Sequence, residues 1–157
     1  MRTGCRDPDR GRVNPYDLIE AQALAARVAC EQMTGPALTA VRDSVQQTSS
    51  LPARPGWERK ATAHAEIFRL LADAAGTPGA LPREAGLVRD LMLTVGPGAD
   101  GLITSSRRRL LACLQAGDPD GAAAEMEDHL RVLHFMARLA RRPVPPSRSP
   151  ATARKGT

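Results

Sequence analysis

The chain has 157 residues, of which 42% are hydrophobic, 25% charged and only 3% aromatic, so it can form one domain with an aliphatic core. Its net charge of +5 comes from basic residues concentrated in its two ends, and we do not infer DNA binding from this charge alone. The three cysteines have no CxxC spacing, which argues against a disulfide scaffold and a cysteine-rich zinc site. No apolar run is long enough to span a membrane, which argues against a membrane protein. Together these features predict a cytoplasmic location.

The first two predicted helices follow residues 1–14, which have no periodic apolar pattern and are expected to form a disordered leader. A helix is predicted from Pro15, because small and apolar residues recur there at spacings of three and four. Its inward face is predicted to carry Leu18, Ala21, Leu24 or Ala25, and Val28. Thr34 is predicted to cap a second helix with Pro36 in its first turn, followed by a loop over TSSLPARPG.

Three more helices are predicted in the middle of the chain. A helix over residues 57–75 would bury a face that carries Ala61, His64, Phe68, Leu71 and Ala75. The segment GTPGALPREAG then interrupts the pattern, a short helix covers about residues 87–95, and GPGAD interrupts it again. The next helix, residues 102–116, would have an inward stripe of Ile103, Arg107, Leu110 and Leu114.

The last predicted helix has the clearest start signal, with Asp118 as its cap and Pro119 at its first position. It should end near Leu139 or Arg142, before PVPP. The sequence therefore predicts a leader over residues 1–14, one helical domain over 15–142 and a disordered basic tail over 143–157. Because no strand is apparent and the connections are short, the expected fold is all-α, an antiparallel bundle of about six helices.

Three stretches resemble one known family. DLIEAQALAARVACEQMTGPALTAV is similar to its first two helices, and HAEIFRLLADAAGTP to the helix that carries its Asp-x-x-Phe-His element. SSRRRLLACLQAGDPDGAAAEMEDHL is similar to its closing signature, with Gly-Asp, Ala122, Met126 and His129-Leu130 in register. Over about residues 16–140 the chain thus resembles the FCD domain, the C-terminal effector domain of GntR-type bacterial transcription regulators of the FadR kind.

This resemblance implies an all-α module that senses a small carboxylate effector and forms a homodimer. In full-length members of the family the module follows a winged helix-turn-helix that binds DNA. Fourteen residues before the first predicted helix are too few for such a reader, so contact with DNA is expected only through a helix-turn-helix absent from this chain. We expect either a truncated or mis-started regulator or a stand-alone sensor.

Many members of that family hold a divalent metal with one aspartate and three histidines, and the resemblance places those four positions at His64, Phe68, Arg107 and His129. Phe68 cannot bind a metal, and Arg107 has no lone pair to offer. His64 and His129 therefore remain as two candidate metal ligands. Because a durable zinc site uses three or four protein ligands, a divalent metal such as zinc is disfavoured and no cofactor is expected.

Arg107 suggests a different ligand. Its helical stripe predicts that it faces inward, where an arginine is rarely found without a partner. A guanidinium binds a carboxylate in a bidentate manner and can supply the charge that a metal would supply. The sharper hypothesis is thus a metal-free effector site in which Arg107 anchors an anion, with His64, His129 and Phe68 around it.

Simpler interpretations stay open at this stage. Arg107 could lie at the rim of the bundle and pair with Glu125 or Asp128. His64 and His129 could be core histidines that hydrogen-bond a hydroxyl group of Ser105 or Ser106, and His134 is expected at the surface or an interface. The pocket would then be degenerate, and the protein would be a stand-alone adaptor that pairs with related regulators.

No enzyme activity is predicted from the sequence. A glycine-rich phosphate loop would need a preceding strand, and none is apparent. His129 and Cys113 form the most plausible nucleophilic pair, but no third residue is indicated to orient the histidine.

Overall fold

The computed structural model describes residues 14–76 and 81–143, and this part of the chain is an all-α bundle without strands. Its six helices, with the short 3-10 turn Pro97–Ala99 before the fifth, are α1 (Pro15–Glu31), α2 (Gly35–Ser50), α3 (Trp57–Ala75), α4 (Leu81–Val95), α5 (Asp100–Ala116) and α6 (Pro119–Ala140). The predicted fold class is confirmed. No helix in the described ranges is long and apolar enough to cross a membrane.

Helix starts are where the sequence was most informative. Thr34 caps α2 by accepting a hydrogen bond from the backbone N–H of Ala37, and Asp118 caps α6 by accepting one from Gly121 at 2.9 Å. Between α5 and α6 the chain turns within two residues, because Gly117 takes a left-handed conformation (φ 64°) that suits glycine and Asp118 begins the next helix. This tight turn holds α5 and α6 against each other.

The core lies where α1, α3, α4 and α6 meet, and α2 covers it from the side of α3 and α5. The largest fully buried apolar side chains are those of Ile67, Phe68, Leu71, Met92, Ile103, Leu110, Met126, Leu130 and Leu133. Long aliphatic and thioether side chains take the place of the scarce aromatics, as the composition predicts.

Several predicted boundaries were wrong. The helix α4 begins at Leu81, six residues before the predicted start, because Pro82 falls in its first turn, where proline is tolerated. The helix α2 continues through Ser50 into the predicted loop, and α5 begins at Asp100 instead of residue 102. Asn14, the last residue of the predicted leader, caps α1, whereas residues 1–13 and 144–157 lie outside the described part.

The predicted inward face of α1 was right at Leu18 and at Val28, which packs against the core, and wrong at Ala21 and Leu24. The structure buries Leu18, Ile19, Gln22, Ala26, Ala29 and Cys30, and leaves Leu24 with 59% of its surface exposed. Because α1 is rich in alanine, two neighbouring stripes of residues both fit helical spacing. The buried stripe contains the polar Gln22, so in the sequence it looks less apolar than a core-facing stripe should. Gln22 is buried because its amide donates a hydrogen bond to Glu84 on α4.

Candidate anion-binding site in the bundle interior

Four residues singled out by the sequence all lie inside the bundle. His64 and Phe68 come from α3, Arg107 from α5 and His129 from α6. Phe68 is fully buried, and the other three are each only 3% exposed. The inward orientation predicted for all four is thereby confirmed. The alternative that Arg107 lies at the rim is wrong, because Glu125 pairs with the neighbouring Arg109 at 3.0 Å instead.

Arg107 is a buried cation with little compensation. One terminal nitrogen, Nη2, donates a hydrogen bond to the backbone carbonyl of His64 at 3.1 Å, and the guanidinium carbon lies 5.1 Å from the centre of the Phe68 ring. Its Nε and Nη1 atoms have no hydrogen-bond partner among the described protein groups. Burial lowers the pKa of Arg107 to about 9, and the distant charge of Glu125 opposes this only in part. The side chain therefore stays positively charged at neutral pH.

His64 is held by a carboxylate that the sequence analysis did not identify. Its Nε2 atom lies 3.0 Å from Oδ1 of Asp100, and the buried Lys60 donates to Oδ2 of the same carboxylate at 2.9 Å. Partial burial raises the pKa of Asp100, but the hydrogen bonds from His64 and Lys60 outweigh it and leave this pKa below its ordinary value. Asp100 is thus an ionised acceptor on both oxygens.

The protonation of His64 follows from this pair. Burial lowers the pKa of His64 to about 4, which outweighs the hydrogen bond to Asp100, so the ring is neutral at neutral pH. A neutral imidazole has one N–H donor and one acceptor nitrogen. Because the carboxylate of Asp100 can only accept, the proton is on Nε2, and Nδ1 carries a lone pair. That Nδ1 atom is buried and has no partner among the described groups.

His129 has an unusual environment for a buried histidine. Neither of its ring nitrogens has a hydrogen-bond partner in the described part of the chain. Burial lowers its pKa well below the ordinary value, and the charge of Arg107 lowers it further. The alternative that a hydroxyl of Ser105 or Ser106 satisfies the two histidines is wrong, since His64 binds Asp100 and His129 binds no described group.

The unpartnered polar atoms of the bundle are concentrated here. Seven buried side-chain nitrogen or oxygen atoms in the described residues lack a partner, and five of them belong to His64, Arg107 and His129. Leaving one buried polar group unpaired destabilises a protein by roughly 1–3 kcal/mol, and more for a charged group. Folded proteins keep such groups rare, so the cluster of them around a cation makes this part of the interior the candidate functional site.

Space around the cluster is limited. The cavity beside His64 and Arg107 measures about 10 Å³, which suits about one water-sized group, and α2 and Thr104 form its other walls. Outside it lies a groove of about 410 Å³ between α2 and α3. Ser44, Thr48 and Ala63 line both spaces, so they separate the groove from the cavity. For a ligand larger than one small group to reach Arg107 from this groove, α2 would have to move.

The structure of α2 is compatible with such a displacement. Only three of its sixteen residues are buried, namely Val41, Val45 and Thr48. By comparison, α3 buries nine of its nineteen residues. A helix held by so few apolar contacts is easier to move than the rest of the bundle.

No group of three or more His, Cys, Asp or Glu side chains within residues 14–76 and 81–143 is placed to hold a metal ion. Of the two candidates, His64 already uses Nε2 to bind Asp100, whose other oxygen binds Lys60. The donor set thus falls short of the three or four ligands of a durable zinc site.

Sequence reasoning missed Lys60 and Asp100. Lys60 lies four residues before His64, so helical spacing could have placed it on the same face. Asp100 was interpreted as part of the interrupting segment GPGAD, whereas it is the first residue of α5 and points its carboxylate at α3.

Comparison with protein-family models, curated proteins and solved structures finds no match. The likeness to the FCD domain therefore rests on the sequence motifs given above.

Proposed function

We propose that this chain is the ligand-sensing and dimerisation module of a GntR/FadR-type transcription regulator and binds a small carboxylate effector at Arg107. The observation that carries the proposal is the buried guanidinium, which has a positive charge, two nitrogens without a partner and no carboxylate within salt-bridge distance in the described residues. The motif resemblance to the FCD domain supports the sensor role.

A carboxylate suits this environment for geometric and electrostatic reasons. A guanidinium presents parallel N–H groups that match the two oxygens of a carboxylate, and a charge-assisted pair is about twice as strong as a neutral hydrogen bond. Lys60 and Asp100 cancel each other's charge, and both histidines are neutral, so Arg107 is the one uncompensated charge of this cluster. A monocarboxylate would balance it, whereas a dicarboxylate would bring a second, unpaired negative charge into the interior.

Thermal unfolding in the presence of a panel of mono- and dicarboxylates tests the proposal. A ligand that binds only the folded state at 100 times its Kd stabilises that state by about 2.7 kcal/mol, so a measurable rise in Tm is expected for some monocarboxylates. The rise should vanish in Arg107→Met and persist in Arg109→Met, which removes an exposed arginine of the same helix. Absence of any carboxylate-dependent rise in the wild type would refute a sensor of this kind.

A second candidate is a stand-alone adaptor that pairs with related regulators and binds no small ligand. It is favoured by an exposed apolar surface on α6, where Val132, Phe135 and Leu139 recur at spacings of three and four. Phe135 is 61% exposed and lines a pocket of about 370 Å³ together with Tyr16 of α1, which is 66% exposed. We call Tyr16, Val132, Phe135 and Leu139 the α1–α6 surface, and a second copy or a related chain would cover it.

Light scattering of the purified chain examines the α1–α6 surface. If two copies associate there, the wild type is a dimer and Phe135→Ser shifts it to a monomer. Leu102→Ser, which changes an exposed leucine on α5, should leave the dimer intact. Dimerisation through Phe135 without any carboxylate response would favour the adaptor over the sensor, and a wild-type monomer would contradict self-association through this surface.

A further inference from the structure

We infer that the Lys60–Asp100–His64 chain makes the site selective for an anion that carries a hydroxyl group next to its carboxylate, that is, a 2-hydroxy acid. This inference rests on the proposed binding of a carboxylate at Arg107. It assigns His64 as an acceptor for the ligand, and Lys60 and Asp100 as positioning residues that fix the orientation of its proton.

The direction of each hydrogen bond in this chain is determined by chemistry. Lys60 can only donate, so Oδ2 of Asp100 accepts. The ionised carboxylate can only accept, so Nε2 of His64 donates to Oδ1. What remains is the Nδ1 lone pair of His64, buried and without a partner in the described residues.

Arg107 and His64 therefore offer a ligand opposite hydrogen-bonding characters. Both residues line the same small cavity, and Nη2 of Arg107 already lies 3.1 Å from the carbonyl oxygen of His64. Arg107 supplies donors and a positive charge, which suit a carboxylate. His64 supplies an acceptor, which suits a hydroxyl group and opposes the oxygen of a keto group. An ammonium group would also donate, but the charge of Arg107 would repel it.

Asp100→Asn provides an unusually specific test because Lys60 dictates how the new amide would lie. The amide oxygen has to face the donor Lys60, which leaves the NH2 group facing Nε2 of His64. Nε2 would then accept, and the proton would move to Nδ1. The site would offer a donor where it had an acceptor. A donor can bind a keto oxygen and a hydroxyl oxygen alike, so the preference for the hydroxy acid over the oxo acid should disappear.

Isothermal titration with racemic 2-hydroxyhexanoate, 2-oxohexanoate and hexanoate measures this preference. One added neutral hydrogen bond contributes about 0.5–1.5 kcal/mol, so the wild type should bind the hydroxy acid roughly 2- to 10-fold more tightly than hexanoate and the oxo acid least tightly. In Asp100→Asn the oxo acid and the hydroxy acid should bind with similar affinity. The double variant Lys60→Met/Asp100→Asn should retain a reduced preference for the hydroxy acid, since nothing then orients the amide.

A spectroscopic measurement keeps the inference testable if Asp100→Asn fails to fold. The ¹⁵N chemical shifts of the His64 ring in the full wild-type chain report which nitrogen carries the proton. Protonation on Nε2 is expected, and protonation on Nδ1 would overturn the inference without any ligand. Binding of all three acids with equal affinity, dependent on Arg107, would also overturn it while leaving the proposed function in place. Absence of binding by any carboxylate would overturn the proposed function and this inference together.

Discussion

Replacing Arg107 with methionine should stabilise the ligand-free protein, which is opposite to the usual effect of altering a buried residue. Arg107 is only 3% exposed and forms one hydrogen bond and one contact with the Phe68 ring. Methionine has a similar length, no charge and no N–H groups to satisfy. Replacement of buried charged groups by apolar residues of similar volume is often neutral or stabilising.

The magnitude follows from the pKa of Arg107. Burial lowers it from the ordinary value of an arginine to about 9, so the charged form is disfavoured by about 5 kcal/mol relative to water. The contact with Phe68 offsets about 1–2 kcal/mol of this, and the hydrogen bond to the His64 carbonyl about 1.5–3 kcal/mol. The remainder lies between about 0 and 2.5 kcal/mol, so the free energy of unfolding is expected to rise by about 1 kcal/mol and the Tm by about 2–6 °C.

Thermal and urea unfolding of wild type, Arg107→Met and Arg109→Met at pH 7.5 would measure this gain. Arg109 is exposed and pairs with Glu125, so its replacement should change the free energy of unfolding by less than about 1 kcal/mol. A fall of several degrees in the Tm of Arg107→Met, with Arg109→Met unchanged, would show that Arg107 stabilises the fold. The reasoning that its charge awaits a ligand would then be refuted.

Two further effects concern His64 and Asp118. Burial lowers the pKa of His64 to about 4, below its value of about 6.5 in the unfolded chain, so the unfolded state binds the proton first as the pH falls. The free energy of unfolding should therefore fall by up to about 3 kcal/mol between pH 6.5 and 4. Urea unfolding at pH 7.5 and 5 should show a smaller fall for His64→Gln than for the wild type. A pH-independent wild type would contradict this assignment. Asp118→Ala removes the cap of α6 and should lower the free energy of unfolding by about 1 kcal/mol. Asp120→Ala, which changes a mostly exposed aspartate two residues later, should have less effect. Equal losses for the two variants in chemical denaturation would argue against the cap.

The sequence predicted helices best where local chemistry determines them. The Asp118-Pro119 pair and the Thr34 cap identify helix starts from two or three neighbouring residues, and the structure confirms both. The inward faces of α3 and α5 were also predicted correctly, because bulky apolar residues mark a single stripe there. On α1 the signal was weak, since alanines satisfy more than one stripe and the buried Gln22 looks like a surface residue.

The candidate site shows the same difference: the sequence predicted which residues are buried but not which residues they contact. Helical periodicity alone placed His64, Phe68, Arg107 and His129 in the interior, because each lies on a stripe of apolar neighbours. The partners of these residues depend on contacts between helices that periodicity does not report. Asp100 lies 36 positions after His64, and the structure alone brings its carboxylate to Nε2. Pairing of Glu125 with Arg109, and not with Arg107, likewise depends on which face α5 turns towards the interior.

The orientation of α5 decides the chemistry of the interior. Arg109 lies at the surface and pairs with the carboxylate of Glu125. Arg107, two positions earlier, faces inward, and its charge is not balanced by a carboxylate of the described residues. The carboxylate of Asp100, which binds His64, is paired with Lys60. Glu125, the acid whose charge acts on Arg107, is paired with Arg109, and no acid of the described residues lies within salt-bridge distance of Arg107. A buried charge left without a partner destabilises the folded state. The unbalanced charge is the feature that makes an external anion the simplest partner for Arg107.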